Sequence, residues 1–188
     1  MISFGSNINF LKNVRNCDDS INSFLRTLQP SEKIHGDYYV DHFVKAQKGY
    51  TDGIMDCIGV VIKNSKEGFM VHLSPWQHRS EEMMKEMIAK LQKHIDELKA
   101  KGQDCSALMV GGRFNDLISK KLFANIFKTL KKNGIDPSML CGHRNLTDSS
   151  DLFFDVTKNA FGCSGASNLE DLKETYKLVK ISSKDKII

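Results

Sequence analysis

The sequence lacks any long apolar run, and its 188 residues include only 3 prolines and 1 tryptophan. A membrane-spanning helix needs about 18 or more consecutive apolar residues, so the sequence predicts no membrane insertion. It has no repeats, no low-complexity block and no proline-rich segment that would act as a linker. A chain of this length forms one hydrophobic core more readily than two. We therefore expect a single domain over residues 1–188.

The cysteines lack the spacing of a disulfide framework or a zinc ribbon, because the 5 cysteines are scattered and no Cys-x-x-Cys pair occurs. Cys141 and His143 could supply two metal ligands, but no second pair follows at zinc spacing, so we expect no metal and no cofactor. The first 16 residues lack the apolar core of a cleaved secretory signal. We expect a cytoplasmic protein, or one secreted into a host cell by a specialised system.

The formal net charge is modest, at +4. Lysines concentrate at Lys120–Lys121, Lys128–Lys132 and Lys173–Lys186, where they are typical of solvated helix faces and a basic tail. Aromatic residues do not alternate with these lysines as they would on a base-stacking surface. The sequence therefore predicts no nucleic-acid partner, and it leaves the oligomeric state open.

Apolar periodicity predicts strands joined mostly by short turns, with two long helices. Strands are expected at Tyr38–Ala46, Cys57–Lys63, Gly68–Leu73, Ser106–Val110, Ser138–Cys141, Asp151–Thr157, Ala160–Ser164 and Tyr176–Ser182. Long helices are expected from Ser80 to Gly102 and from Asn115 to Asn133, and short ones at Asp18–Gln29 and Asn168–Glu174. This pattern predicts an α+β fold, a largely antiparallel β-sandwich or sheet with helices packed on the outside.

A hairpin with its loop at Asn64–Glu67 brings one cysteine and one histidine together. Cys57 enters its first strand, and His72 lies near the end of the second, on the same face as Ser74. Side chains that face each other across an antiparallel pair lie about 5 Å apart at Cβ. An adjacent imidazole can stabilise a thiolate and so make the sulfur a nucleophile. The alternative interpretation is a buried cysteine and a hydrogen-bonded core histidine that share a hairpin.

Three motifs around this hairpin resemble the chemotaxis glutamine deamidase family, CheD. They are the segment Thr51-Asp-Gly-Ile-Met-Asp-Cys57, the strand Gly68-Phe-Met-Val-His72-Leu-Ser-Pro75, and the apolar strand Ala107–Gly112 that ends on two glycines. The resemblance covers roughly residues 38–160, which divides the chain into an N-terminal extension (1–35) and a catalytic core (36–188). The Cys-to-His spacing is also similar to that of the cytotoxic necrotizing factor toxins, which share the catalytic fold.

The resemblance implies a protein glutamine deamidase, with a glutamine-bearing protein as its substrate and no cofactor. Cys57 would be the nucleophile, His72 the base, and Thr51 the residue whose hydroxyl orients the imidazole. The family's Leu-Gly-Ser-Cys is Ile-Met-Asp-Cys here, which places Asp56 beside the sulfur and favours a thiol of higher pKa. A toxin-like bacterial effector, a chemoreceptor modifier and a non-catalytic protein-binding module therefore all remain open.

Overall fold

Two β-sheets and two α-helices make up the part of the chain described by the computed structural model, residues 27–29, 32–34, 41–113, 116–140 and 150–164. The strands are β1 (Lys33–Ile34), β2 (Val44–Ala46), β3 (Lys48–Ile54), β4 (Ile58–Lys63), β5 (Gly68–Leu73), β6 (Ser106–Gly111), β7 (Pro137–Leu140), β8 (Ser150–Asp155) and β9 (Ala160–Ser164). The helices are α1 (Glu81–Lys101) and α2 (Leu117–Lys132), and a 3-10 turn at Pro75–His78 precedes α1. None of the described helices combines the length and apolar character needed to cross a membrane.

The strands are distributed between a four-stranded sheet of order β1-β3-β8-β9 and a five-stranded sheet of order β2-β5-β4-β6-β7. Neighbouring strands are antiparallel except in the pairs β1–β3 and β6–β7. A parallel pair needs a crossover rather than a tight turn. In the pair β6–β7 that crossover contains α2.

The five-stranded sheet lies in the middle of three layers. Alternate side chains of β4, such as Ile58 and Val60, pack against α1 and α2 in one apolar cluster. Val61, on the opposite face of β4, joins Ile54, Leu152 and other residues in a second cluster between the two sheets. The predicted α+β class is confirmed as an antiparallel sandwich with both described helices outside one sheet.

Helix α1 has strong signals at both ends, which explains why its limits were predictable. Ser80 is the N-cap and accepts a hydrogen bond from the backbone N–H of Met83 at 3.2 Å. The backbone N–H of Gly102 closes the other end on the carbonyls of Leu98 and Lys99. The buried stripe differs from the prediction in its first turns, because Met87 is buried whereas Met84 and Ile88 are only half-buried.

Several other predicted elements differ from the structure. The strand predicted at Tyr38–Ala46 is limited to Val44–Ala46 in the described part, and β3 and the 3-10 turn were not predicted. Helix α2 begins two residues later than predicted, because the side chain of Asp116 caps it by accepting a hydrogen bond from the backbone N–H of Ile118. Three further predicted elements lie outside the described residues: the helix Asp18–Gln29 as far as residue 26, the helix Asn168–Glu174 and the strand Tyr176–Ser182.

The predicted boundary at residue 35 falls beside an element of the four-stranded sheet. β1 belongs to the segment predicted as an N-terminal extension, and it pairs in parallel with Tyr50 and Thr51 of β3. The backbone of this short strand is therefore paired with the part of β3 that carries Thr51.

Candidate active site

The chain passes from one sheet to the other on both sides of β3. β2 belongs to the five-stranded sheet and β3 to the four-stranded sheet, and the chain returns to the first through the bend Met55–Cys57. Gly53, at φ +64°, accompanies a break in the β3–β8 register just before that bend. Thr51 and His72 therefore approach from different sheets, and Cys57 lies where the chain crosses between them.

A hydrogen bond joins Thr51 to His72 across the space between the sheets. The hydroxyl oxygen of Thr51 lies 2.8 Å from Nδ1 of the imidazole, and both residues are fully buried. When the ring carries its proton on Nδ1, the N–H donates to the hydroxyl and Nε2 has the lone pair that a general base needs. The contact implied by the resemblance is present, and the catalytic role of the two residues stays a prediction.

The register of the hairpin fixes the position of Cys57 relative to the imidazole. His72 pairs with Gly59, and Ile58 pairs with Leu73, so continuing the ladder places Cys57 opposite Ser74. The thiol packs against the apolar cluster between the sheets, which is the face that also carries His72. Cys57 and His72 are thus diagonal neighbours, for which separations of about 7–8 Å, and somewhat less between Cβ atoms, are typical.

A close approach of the two sheets explains why a glycine, Gly59, lies opposite His72 in the ladder. A Cβ atom at Gly59 would lie 2.5 Å from Cδ1 of Ile54 and 2.9 Å from a methyl group of Leu152. Both side chains belong to the apolar cluster between the sheets. A residue with a side chain at position 59 would therefore push the sheets apart at the Thr51–His72 contact.

The surroundings of Cys57 favour a neutral thiol. Burial acts first, and the negative charges of Asp56 and Asp41 add to it, raising the pKa of Cys57 to about 12. The side chain of Ser74 acts in the opposite direction by hydrogen bonding to the sulfur. A pKa raised this far keeps the thiol protonated at neutral pH. The resting site therefore does not hold the thiolate–imidazole pair that the hairpin alone suggested.

The backbone around Cys57 is fixed by the strand-to-helix turn that leads into α2. The backbone N–H of Gly112 donates to the carbonyl of Cys57 at 2.8 Å, and the hydroxyl of Ser119 donates to the carbonyl of Asp56 at 3.2 Å. Ser119 also accepts a hydrogen bond from the backbone N–H of Arg113 at 3.0 Å. These contacts hold the bend in one conformation, so the carboxylate of Asp56 stays beside the sulfur.

Asp56 and Trp76 form the exposed side of the site. The indole N–H of Trp76 donates to Oδ2 of Asp56 at 3.2 Å, while Oδ1 lies 3.8 Å from Sγ of Cys57. The tryptophan is 62% exposed, the thiol is half-buried, and the imidazole of His72 is shielded from solvent. The sulfur of Cys57 is therefore approached from solvent on the side of Asp56 and Trp76, while His72 lies behind it.

Asp41 is the part of this arrangement that the sequence did not reveal. Its backbone N–H donates to the carbonyl of His72 at 2.7 Å, and its carboxylate lies 2.6 Å from Nε2 of His78. Asp41 has φ +65°, which is uncommon for a residue other than glycine. The sequence placed it inside a predicted strand and therefore gave no sign of this position. Ser74, by contrast, shares the strand face of His72, and alternation alone would have indicated it.

The catalytic and cofactor predictions rest on the residues themselves, since comparison with models of known protein families gives no match and comparison with curated proteins gives no significant one. No group of three or more metal-binding side chains occurs among the residues that the structure describes. The pair Cys141 and His143, considered above as possible metal ligands, lies outside them.

Asp56→Asn tests how far the neighbouring charge suppresses the thiol. The substitution keeps the shape of the side chain and removes its charge, so the pKa of Cys57 should fall. Alkylation by iodoacetamide at pH 7.5 should become about three- to tenfold faster. In the wild type the alkylation rate of Cys57 should rise about tenfold per pH unit from pH 7 to 10. The reason is that the ionised fraction of a thiol rises about tenfold per pH unit below its pKa.

Peptide mass analysis of timed samples gives the rate for Cys57 separately from the other thiols. Asp52→Asn is the matched control, because Asp52 is close in sequence but its charge is not among those that raise the pKa of Cys57. Equal rates at Cys57 in the wild type and Asp56→Asn would contradict the proposed influence of the carboxylate.

Proposed function

We propose that the protein is a cysteine-dependent protein glutamine deamidase, which converts a glutamine side chain of a partner protein to glutamate and releases ammonia. The observation that carries the proposal is the buried hydrogen bond between Thr51 and His72, with Cys57 as their diagonal neighbour. The order and spacing of these residues resemble the CheD motifs, and this resemblance selects the reaction. Geometry alone would equally serve a peptidase or an acyltransferase.

The reaction requires that the thiol lose its proton during attack rather than before it, because the resting thiol is neutral. Sγ of Cys57 forms a bond to the carboxamide carbon while its proton passes to His72, and the imidazolium returns a proton to the departing ammonia. Water then attacks the thioester, giving its proton to the same imidazole, and the glutamate carboxylate leaves as the thiol re-forms. Thr51 holds the ring so that Nε2 can act in both steps.

Two biological settings fit this reaction, a toxin-like bacterial effector and a chemoreceptor modifier. The departures from the family pattern lie at Asp56, in the bend, and at Arg113, which follows the double glycine where the family has a small residue. These changes alter the surface that meets a substrate and leave Thr51, Cys57 and His72 in place. They favour a protein substrate other than a chemoreceptor, and hence the effector.

A non-catalytic protein-binding module is the second candidate, and one observation favours it. Asp56 lies 3.8 Å from the sulfur, and together with burial it raises the pKa of Cys57 to about 12. A protein that had lost turnover could retain the fold and the surface around Trp76 for binding. In that case binding to the partner would not depend on Cys57.

Incubation with candidate partners, followed by intact-mass and peptide-level analysis, tests the proposal. The wild type should convert one glutamine to glutamate, a gain of about 1 Da, with release of ammonia and no backbone cleavage. Cys57→Ser should be inactive, because an alcohol is a far weaker nucleophile than a thiol at neutral pH. Backbone cleavage, or equal glutamate formation with the variant, would rule out the deamidase. Tight binding by both proteins without any reaction would select the binding module.

A further inference from the structure

A groove between α1 and α2 lies on the face of the five-stranded sheet opposite to the Thr51–His72 contact. Its volume is about 680 Å³, and it is lined by both helices and by the end of the 3-10 turn. The floor contains half-buried or buried apolar side chains, among them Met84, Ile88 and Ala124. Leu117, at its edge, is 58% exposed and extends the apolar surface of the groove towards solvent.

The packing of the two helices explains why this groove exists. They are bridged near their C-terminal ends, where the side-chain amides of Gln92 and Asn133 exchange two hydrogen bonds of 3.0 and 2.7 Å. Lys99 reinforces this end by donating to the carbonyl of Asn133 at 2.8 Å. Met84 and Ile88, in the first turns of α1, remain half-buried although they continue its apolar stripe.

The charge around the groove is strongly unbalanced. Five cationic side chains line it, against one acidic side chain, Glu81; the cations are Arg79, Lys85, Lys121, Lys128 and Lys132. None of the five forms an ion pair within the part of the chain that the structure describes. A partner that covered the apolar floor would place its own edges against these cations, so acidic edges would fit and basic edges would be repelled.

The dimensions of the groove favour a helix as the occupant. On α1 it extends from Glu81 to Gln92. At about 1.5 Å per residue this corresponds to roughly 16 Å, or three turns of an α-helix. An amphipathic helix binds such a groove through apolar residues at i, i+3 or i+4, and i+7. Strand addition at a sheet edge is not an alternative here, because the walls are helices with satisfied backbones.

We propose that this groove is a docking site for an acidic amphipathic helix of a partner protein. The apolar floor supplies the buried contact, and the cationic rim selects the charge of the partner. The inference does not depend on the deamidase reaction, because Thr51, Cys57 and His72 lie on the other side of the sheet. The groove would serve equally to recruit a substrate or to hold a binding partner.

The test uses fluorescein-labelled peptides of three to four turns with leucines at i, i+3 or i+4, and i+7, and glutamates at the flanking positions. Binding to the full-length protein is followed by fluorescence anisotropy at 50 mM NaCl. We expect saturable binding that weakens at 500 mM NaCl, because screening reduces the contribution of exposed charges. Peptides of the same composition in scrambled order, and peptides with lysine in place of glutamate, should bind at least tenfold more weakly.

Two groove variants and one matched control locate the binding. Lys85→Glu/Lys121→Glu should weaken binding at least tenfold. Lys90→Glu/Lys93→Glu changes the net charge equally on exposed residues of α1 that do not line the groove, and it should have little effect. Ala89→Trp fills the groove from an exposed position and should abolish binding while leaving the thermal unfolding midpoint unchanged.

Three results would overturn the proposal. They are no binding of any acidic amphipathic peptide to the wild type, equal weakening by the groove and control charge reversals, and unchanged binding to Ala89→Trp. A preference for a 12-nucleotide single-stranded DNA or for phosphatidylglycerol vesicles over every peptide would also overturn it, because the groove would then recognise phosphate rather than an acidic helix.

Discussion

His72→Ala is expected to reduce glutamate formation in the proposed reaction by about a thousandfold, since a positioned general base contributes roughly 10²–10⁴. The loss should be large because the pKa of Cys57 is raised, so that in the proposed mechanism the thiol gives its proton to the imidazole during attack. Ammonia release and peptide mass analysis measure the effect.

His72 is fully buried and hydrogen-bonded, so the alanine variant should also lose about 1–3 kcal/mol of unfolding free energy. His72→Gln therefore accompanies it, because an amide can still hydrogen-bond to Thr51 but cannot accept the thiol proton. Both variants should be inactive, whereas glutamine should preserve more stability. An active His72→Gln variant would show that the histidine is not the base.

Thr51 should act by positioning the imidazole, and its variants separate this role from packing. Thr51→Val keeps the volume and removes the hydroxyl, and we expect a loss of about 10- to 100-fold in turnover. Thr51→Ser restores the hydroxyl and should recover most of the activity even though it loses a buried methyl group. Equal losses in Thr51→Val and His72→Ala would contradict a merely orienting role.

The parts of the fold that the sequence predicted are those with local signals. The hairpin loop at Asn64–Glu67 is an example, because the side chain of Asn64 accepts hydrogen bonds from the backbone N–H groups of Lys66 and Glu67. Helix α1 likewise has an N-cap serine and a terminal glycine that can be read directly. In both cases each hydrogen bond joins residues within a few positions of each other in the chain.

The parts of the fold and of the site that the sequence did not predict depend on contacts between segments that are far apart in the chain. β3 has two glycines and a register break, so neither alternation nor composition marks it as a strand, yet it carries Thr51. The charge of Asp41 reaches Cys57 from a segment whose backbone is hydrogen-bonded to the carbonyl of His72, 31 positions away in the chain. The pKa of the thiol follows from burial and from that charge, and neither can be derived from the spacing of cysteine and histidine.

Gly111→Ala is expected to cause the largest loss of stability among the substitutions considered. Gly111 ends β6 at φ +101°, and a Cβ atom there would lie 2.1 Å from the carbonyl oxygen of Cys57 and 2.4 Å from Cγ2 of Ile54. The backbone conformation costs about 1–3 kcal/mol for a residue other than glycine, and overpacking against fixed atoms adds about as much. We therefore expect a loss of roughly 3–5 kcal/mol of unfolding free energy, measured by urea denaturation.

Gly134→Ala is the matched control, because Gly134 has φ +72° but nothing within 4 Å of the added Cβ atom. This variant changes only the cost of the left-handed backbone conformation and should lose about 1–2 kcal/mol of unfolding free energy. The difference between the two variants then measures how closely the strand-to-helix turn packs against the carbonyl of Cys57. Because the clash displaces the bend that holds Asp56 beside the sulfur, Gly111→Ala should also speed alkylation of Cys57, whereas Gly134→Ala should not. Equal losses of stability in the two variants would show that the turn does not hold the site.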